Sequence, residues 1–167
     1  MTSAPALAYA SERRAEEFAA AAARSKSLHR SWVHPPTDVT AARALLLKRQ
    51  GPSDFGYLIH ELKSGKVAGF IEVTNIVRGN FQSAYLGFYV FKGFERRGYM
   101  SWALGEIIRR SWRDLKLHRL EANIQPGNTA SIGLVSKLGF TKEGYSPRYL
   151  KIGSRWRDHE RWALLAR

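Results

Sequence analysis

The residues best suited to chemistry lie between Phe88 and Phe140. Phe88-Tyr89-Val90-Phe91 reads as a strand, and Glu95-Arg96-Arg97-Gly98 as a basic loop containing a glycine. Tyr99-Met100-Ser101 then opens a helix. A helix start beside such a loop presents free backbone amides and the positive end of a helix dipole, which together attract anions. Arg96 and Arg97 add two formal charges at the same place, so a phosphate-bearing ligand is the first expectation. A second grouping, Asp158-His159, invites a catalytic-dyad reading. Trp156 and Trp162 beside it alternate as a strand does, and pairing of Asp158 with Arg157 or Arg148 is the preferred reading.

The elements that must position these residues follow from periodicity. Tyr99 to about Leu115 is apolar at Met100, Leu104, Ile107, Ile108 and Leu115, and polar at Glu106, Arg109, Arg110, Arg113 and Asp114. That spacing predicts a helix with one core stripe and one solvated stripe. Arg119 to Ile124 reads as a strand, and a strand-helix-strand order requires a crossover and parallel pairing. Asn128 is the expected cap of the next helix, buried through Ile132, Val135 and Leu138 and ended by Gly139. Thr141 to Ile152 and Arg155 to Leu164 form a last hairpin, turning at Gly153-Ser154.

Upstream, Tyr57 to Leu62, Val67 to Ile76 and Ser83 to Phe91 are β-forming runs separated by turn residues, which predicts an antiparallel meander. Ser11 to Ser27 is an alanine-rich helix with Ser11 as its cap. His34-Pro35-Pro36 breaks the chain, and Thr37 or Asp38 caps a second helix through about Arg49. The expected organisation is a single domain over residues 1–167. A helical front end spans 1–51, and a sheet with the binding core spans 56–167. The fold class is α+β.

Composition narrows the function classes. The chain of 167 residues is 44% apolar and 12% aromatic, which suits a packed domain and excludes a disordered one. With no cysteine, disulfides, thiolate metal sites and a cysteine nucleophile are excluded. The five histidines show no metal-ligand spacing, so no metal is expected. No apolar run reaches the roughly 20 residues that cross a bilayer. Met1 to Ala10 lacks the pattern of a signal peptide, and a cytoplasmic location is expected. The net charge of +13 calls for an anionic partner: a nucleotide-like cofactor, RNA or an acidic surface.

Arg96-Arg97-Gly98-Tyr99-Met100, Asn128-Thr129-Ala130-Ser131 and Leu138-Gly139-Phe140 occur in an order that resembles the GNAT superfamily of acetyl-CoA-dependent N-acetyltransferases. The similarity is closest to the RimJ/RimL-type ribosomal-protein N-terminal acetyltransferases. It is carried further by His118-Arg119-Leu120-Glu121-Ala122-Asn123, Lys142-Glu143-Gly144-Tyr145 and Arg155-Trp156-Arg157-Asp158-His159. It covers Tyr57 to Leu164 well and the first 50 residues loosely. The fold it implies is a mixed, largely antiparallel sheet of six to seven strands, splayed between strands four and five.

The resemblance also implies roles. Glu95 to Met100 matches the turn whose amides wrap the cofactor pyrophosphate, with Arg96, Arg97, Gly98, Tyr99, Met100 and Ser101 around it. Glu95 stands where Gln or Arg is usual, at some electrostatic cost, and Met100 replaces a small residue. Phe88, Tyr89 and Val90 belong to the strand that bonds the pantetheine arm, and Asn128 holds that arm from the other side. The Val90 amide or a neighbour would polarise the thioester carbonyl. Glu121 is the implied general base, a carboxylate beside an apolar cleft whose pKa burial would raise. The usual acidic tyrosine is replaced by Val135, which leaves Ser131 as the implied acid and Tyr145 as a second candidate. Tyr85 occupies the position of another base found in relatives.

The implied reaction is direct transfer of acetyl from acetyl-CoA to a primary amine, without a covalent intermediate. The acceptor expected is the α-amine of a protein, of ribosomal type. Two rivals stand beside it: an enzyme for small amines, and a non-catalytic module binding RNA or the ribosome through the basic surface. No membrane partner is expected, and the oligomeric state is open between monomer and homodimer.

Overall fold

The computed structural model describes residues 4–167. Expectations for residues 1–3 lie outside the described residues. The backbone of the fold is a seven-stranded sheet in the order β1-β2-β3-β4-β5-β7-β6. Its strands are β1 (Pro5–Tyr9), β2 (Phe55–Glu61), β3 (Val67–Val77), β4 (Ser83–Val90), β5 (Arg119–Ile124), β6 (Thr141–Ile152) and β7 (Arg155–Leu165). The β4–β5 pair is parallel and every other pair is antiparallel. Expected strand and turn positions from Tyr57 onward agree with these elements to within two residues.

Helices cover both faces. α4 (Tyr99–Arg113) makes the β4-to-β5 crossover, and α5 (Thr129–Lys137) follows β5. Both pack on one face, where Ile59, Ile71, Val73, Leu86, Leu120 and Ala122 meet Leu104, Ile107 and Val135. α1 (Ala15–Arg24), the one-turn α2 (Lys26–His29) and α3 (Val39–Lys48) precede β2 in the chain. On the opposite face, the alanines of α1 let the helix approach closely. Phe18 meets Phe70 and Phe91 edge-on, both at 5.4 Å between ring centroids. Burying one such ring contributes about 2–3 kcal/mol.

The front end differs from the expectation in two ways. Pro5–Tyr9 is an edge strand, with Pro5 at its first position, where a missing donor is tolerated. The expected helix Ser11 to Ser27 is divided. Ser11 caps a 3-10 turn at Glu12–Arg14, α1 ends at Arg24, and Ser25 lies between α1 and α2. The physical reason is that Ser25 is spent on tertiary bonds. Its Oγ donates to the Ala21 carbonyl at 2.7 Å and accepts the Lys92 amide at 2.9 Å. The second helix is capped by Asp38, whose Oδ1 accepts the Ala41 amide at 2.8 Å.

Candidate functional site

β4 and β5 pair only at Ser83, Ala84 and Tyr85, opposite Arg119, Leu120 and Glu121, and then diverge. β4 runs on to Val90 against β3, where the Phe91 amide donates to the Ala68 carbonyl. Antiparallel pairing alternates, so odd-numbered residues of β4 bond β3. The N–H and C=O of Phe88 and Val90 therefore face the side that β5 has left. A cleft of about 1100 Å³ opens there, reaching from Arg96 to Tyr149.

One end of this cleft is built for an anion. α4 starts at Gly98, whose φ of +79° favours glycine, and no side chain caps it. No cap side chain occupies its first turn, whereas α3 and α5 have Asp38 and Asn128 as caps. Gly98, Tyr99, Met100, Ser101 and Arg96 line the cleft. Arg97 does not: it pairs with Glu61 at 2.9 Å and lies over the Phe94 ring at 5.2 Å. Of the two arginines, the structure brings Arg96 alone to the cleft. Glu95 folds back, its Oε2 accepting the Gly93 amide at 2.5 Å, so a carboxylate occupies one amide of the loop.

Across the divergence, past the end of β5, Asn128 and Ser131 both line the cleft. Asn128 Oδ1 accepts the Ser131 amide at 3.3 Å, while the Ser131 hydroxyl bonds nothing among the described residues. Val135, the position of the missing tyrosine, is fully buried in the core. Tyr145 is 50% exposed, lies outside the lining and donates to Asp158 Oδ2 at 2.5 Å.

Glu121 does not join this group. Its carboxylate accepts Arg119 Nε at 2.8 Å, and Arg119 also binds Glu143. The apolar surroundings expected for Glu121 are replaced by an ion pair because β5 alternates. Arg119, two residues away, necessarily shares its face. The Asp158-His159 dyad is not formed either. Asp158 accepts the Tyr145 hydroxyl and the Arg148 amide, the latter at 2.7 Å, and His159 Nδ1 lies 2.9 Å from the Arg157 carbonyl.

Several cleft residues carried no local sequence signal. His29, on α2, places Nε2 2.8 Å from the Val90 carbonyl, so this nitrogen bears the hydrogen. Gln125, after β5, donates to the Ser31 carbonyl at 2.7 Å, and Trp32 packs on Gly127. The segment from His29 to Trp32 therefore bridges the two diverging strands. Tyr149, from β6, is another such residue, and it lines the cleft beside Tyr85 and His159 of β7. Burial lowers the pKa of His29 and of His159. A side-chain hydrogen bond with Tyr149, then burial, raises that of Tyr85.

Comparison with known proteins agrees with this geometry. The family described as Acetyltransferase (GNAT) domain matches residues 7–141. The chain is 38% identical over 116 residues to the ribosomal protein uS5-alanine N-acetyltransferase of Escherichia coli. That match covers 70% of this chain and 59% of the relative's length. The fold is similar to Mycobacterium smegmatis RimJ in complex with CoA-disulfide, with a TM-score of 0.88 and 23% identity over 99% of this chain and 83% of that one. It is also similar to the Vibrio cholerae spermidine N-acetyltransferase in complex with CoA and spermine. There the TM-score is 0.81, at 16% identity over 96% and 95% of the two chains.

Proposed function

Because this chain belongs to the GNAT acetyltransferase domain family, we propose that it moves an acetyl group from acetyl-CoA to a primary amine. The observation that carries this is the pairing of an open β4 edge with an uncapped helix start in one cleft. A long ligand with a polyamide arm and a pyrophosphate fits that pair. Phe88 and Val90 would bond the arm, and the amides of Met100 and Ser101, with Arg96, would hold the phosphates. When bound, acetyl-CoA supplies an activated acyl thioester. Overall, an ammonium and the thioester become an amide, a thiol and a released proton.

The chain's own part is positioning and proton handling. Asn128 fixes the start of α5, and the Ser131 hydroxyl, free of internal bonds, is the group we assign to protonating the departing sulfur. The acceptor we assign is a protein α-amine of ribosomal type, which the Escherichia coli relative supports by its name. Contact with the ribosome or RNA through the basic surface, and action in the cytoplasm, belong to the same reading.

A small-amine reading is favoured by the likeness to the spermidine enzyme. Against it, the two carboxylates lining the cleft are engaged, Glu72 by Arg49 at 2.6 Å and Glu95 by the Gly93 amide. Lys92, Arg96 and Arg30 line the same cleft, which repels a polycation. Competition between spermidine and peptides starting with Ala, Ser, Thr or Met, read by thiol release, separates the two. Preference for the peptides supports the proposal; exclusive use of spermidine overturns the acceptor assignment.

A further inference from the structure

We propose that His159 is the proton acceptor for the incoming amine, an inference that rests on the acetyl-transfer reading. The amine arrives as an ammonium at neutral pH and must lose a proton before its nitrogen can attack. The cleft offers few groups with a lone pair to spare. Glu121, outside the cleft lining, is held by Arg119; of the lining carboxylates, Glu72 is held by Arg49 and Glu95 by the loop amide of Gly93. His29 spends Nε2 on the Val90 carbonyl, and its remaining nitrogen, Nδ1, is shut away from solvent without a partner. Protonating any of the three carboxylates would weaken the bond it already accepts, and protonating His29 at Nδ1 would place a charge in the core.

His159 is placed differently. It comes from the middle of β7, 3% exposed, and lines the cleft beside Tyr149. Its Nδ1 faces the Arg157 carbonyl at 2.9 Å; a carbonyl only accepts, so Nδ1 carries the hydrogen. Nε2 therefore holds the lone pair, and no described residue bonds it. Packing holds the ring in this orientation, with Tyr149 at 6.1 Å between ring centroids.

The surroundings suit a base that is neutral before reaction. Asp158, on the same strand, is the charge acting on His159, and its carboxylate is turned to Tyr145 and Arg148 instead. β6 presents the Tyr149 ring, and behind it Tyr85 comes from β4 with a hydrogen bond to Tyr149. From the β5 side, Asn123 and Gln125 line the cleft without charge. Burial of the ring outweighs the Arg157 bond and the Asp158 field, so the imidazole is pushed below its ordinary value. In the step itself, the ammonium N–H bond breaks with its electron pair left on nitrogen. The proton bonds to Nε2, and the imidazolium so formed passes it to solvent after transfer.

Two measurements test this. The first uses the ligand-free protein, so it does not depend on turnover: imidazole nitrogen shifts from long-range ¹H–¹⁵N spectra. The expected result is an Nδ1–H tautomer for His159, titrating below about 6.5. An Nε2–H tautomer, or a ring protonated at neutral pH, overturns the proposal. The second compares wild type with His159→Gln in acetyl-CoA-dependent thiol release on an alanine-starting peptide. The expected loss in kcat is about 100-fold or more, with the acidic limb of the pH–rate profile gone. CoA affinity measured by calorimetry stays within about threefold, which separates lost chemistry from lost folding. Turnover within about threefold of wild type, with the same acidic limb, removes His159 while leaving acetyl transfer in place. Absence of turnover in wild type on every amine tried overturns acetyl transfer and this proposal together.

Discussion

The His29 imidazole donates from Nε2 to the Val90 carbonyl at 2.8 Å, joining the front helices to the open edge of β4. Four residues earlier, Ser25 Oγ accepts the Lys92 amide at 2.9 Å. Both bonds use backbone groups on the side that β5 has left. What stays open to a ligand is the Phe88 N–H and C=O and the Val90 N–H. The front helices thus set where the open edge of β4 ends, a role their composition alone did not announce.

Stability should depend on pH through buried His29 and His159 and half-buried His60. Burial lowers the pKa of His29, His60 and His159 below the ordinary histidine value. An unfolded chain takes protons on these rings as pH falls through about 6.5, and the folded chain does so only lower. Stability is therefore full above about 6.5 and lost as pH falls from there toward the folded values. The limit is about 1.4 kcal/mol per pH unit for each ring fully excluded from protonation. Urea midpoints between pH 7.5 and 5.5 should fall, and His29→Gln should flatten that slope.

Glu95→Gln should tighten CoA binding. It removes a negative charge from the loop before α4 and weakens the carboxylate's hold on the Gly93 amide. An effect of about 0.5–1 kcal/mol corresponds to roughly two- to fivefold in affinity, shrinking as salt is raised. Calorimetry at two ionic strengths checks both parts.

Gly98→Ala should weaken the same binding and destabilise the fold. At φ +79° a Cβ costs about 1–2 kcal/mol, although the space around it is open. Strain, not collision, is the mechanism, so urea unfolding should show the loss even without ligand.

Ser131→Ala should lower kcat by about 100-fold while leaving KM within a few fold, if the hydroxyl protonates the leaving sulfur. Unfolding should move little, because the serine contributes its amide and not its hydroxyl to the Asn128 cap. Steady-state kinetics beside a thermal melt reads both.

Glu121→Gln should affect folding more than turnover. It breaks the pair with Arg119, 13% and 19% exposed on the two side chains, at a cost of about 1–3 kcal/mol. Glu143 still holds Arg119, so the strand keeps its partner. A kcat within a few fold of wild type is the expected kinetic result.

Much of this was legible in the sequence because the signals were local. The β-forming runs, the Gly98 turn and the Asn128 cap each act within a few residues, and the α4 stripe repeats along one helix. What was not legible depended on partners far along the chain. Arg97 left the cleft for Glu61, 36 residues away, and the charge run gave no sign of that choice. Glu121 met Arg119 through strand alternation, which the family position alone did not weigh. His29 and Tyr149 gained meaning only from strands that pack beside them, and Pro5–Tyr9 became a strand because β2 offered an edge.

The most direct measurement is transfer of an isotopically labelled acetyl group from acetyl-CoA to an alanine-starting peptide, followed by mass spectrometry of the product. The account predicts one label per peptide, on the α-nitrogen, with one thiol released for each. A protein that binds acetyl-CoA yet leaves peptides and small amines alike unlabelled would contradict it.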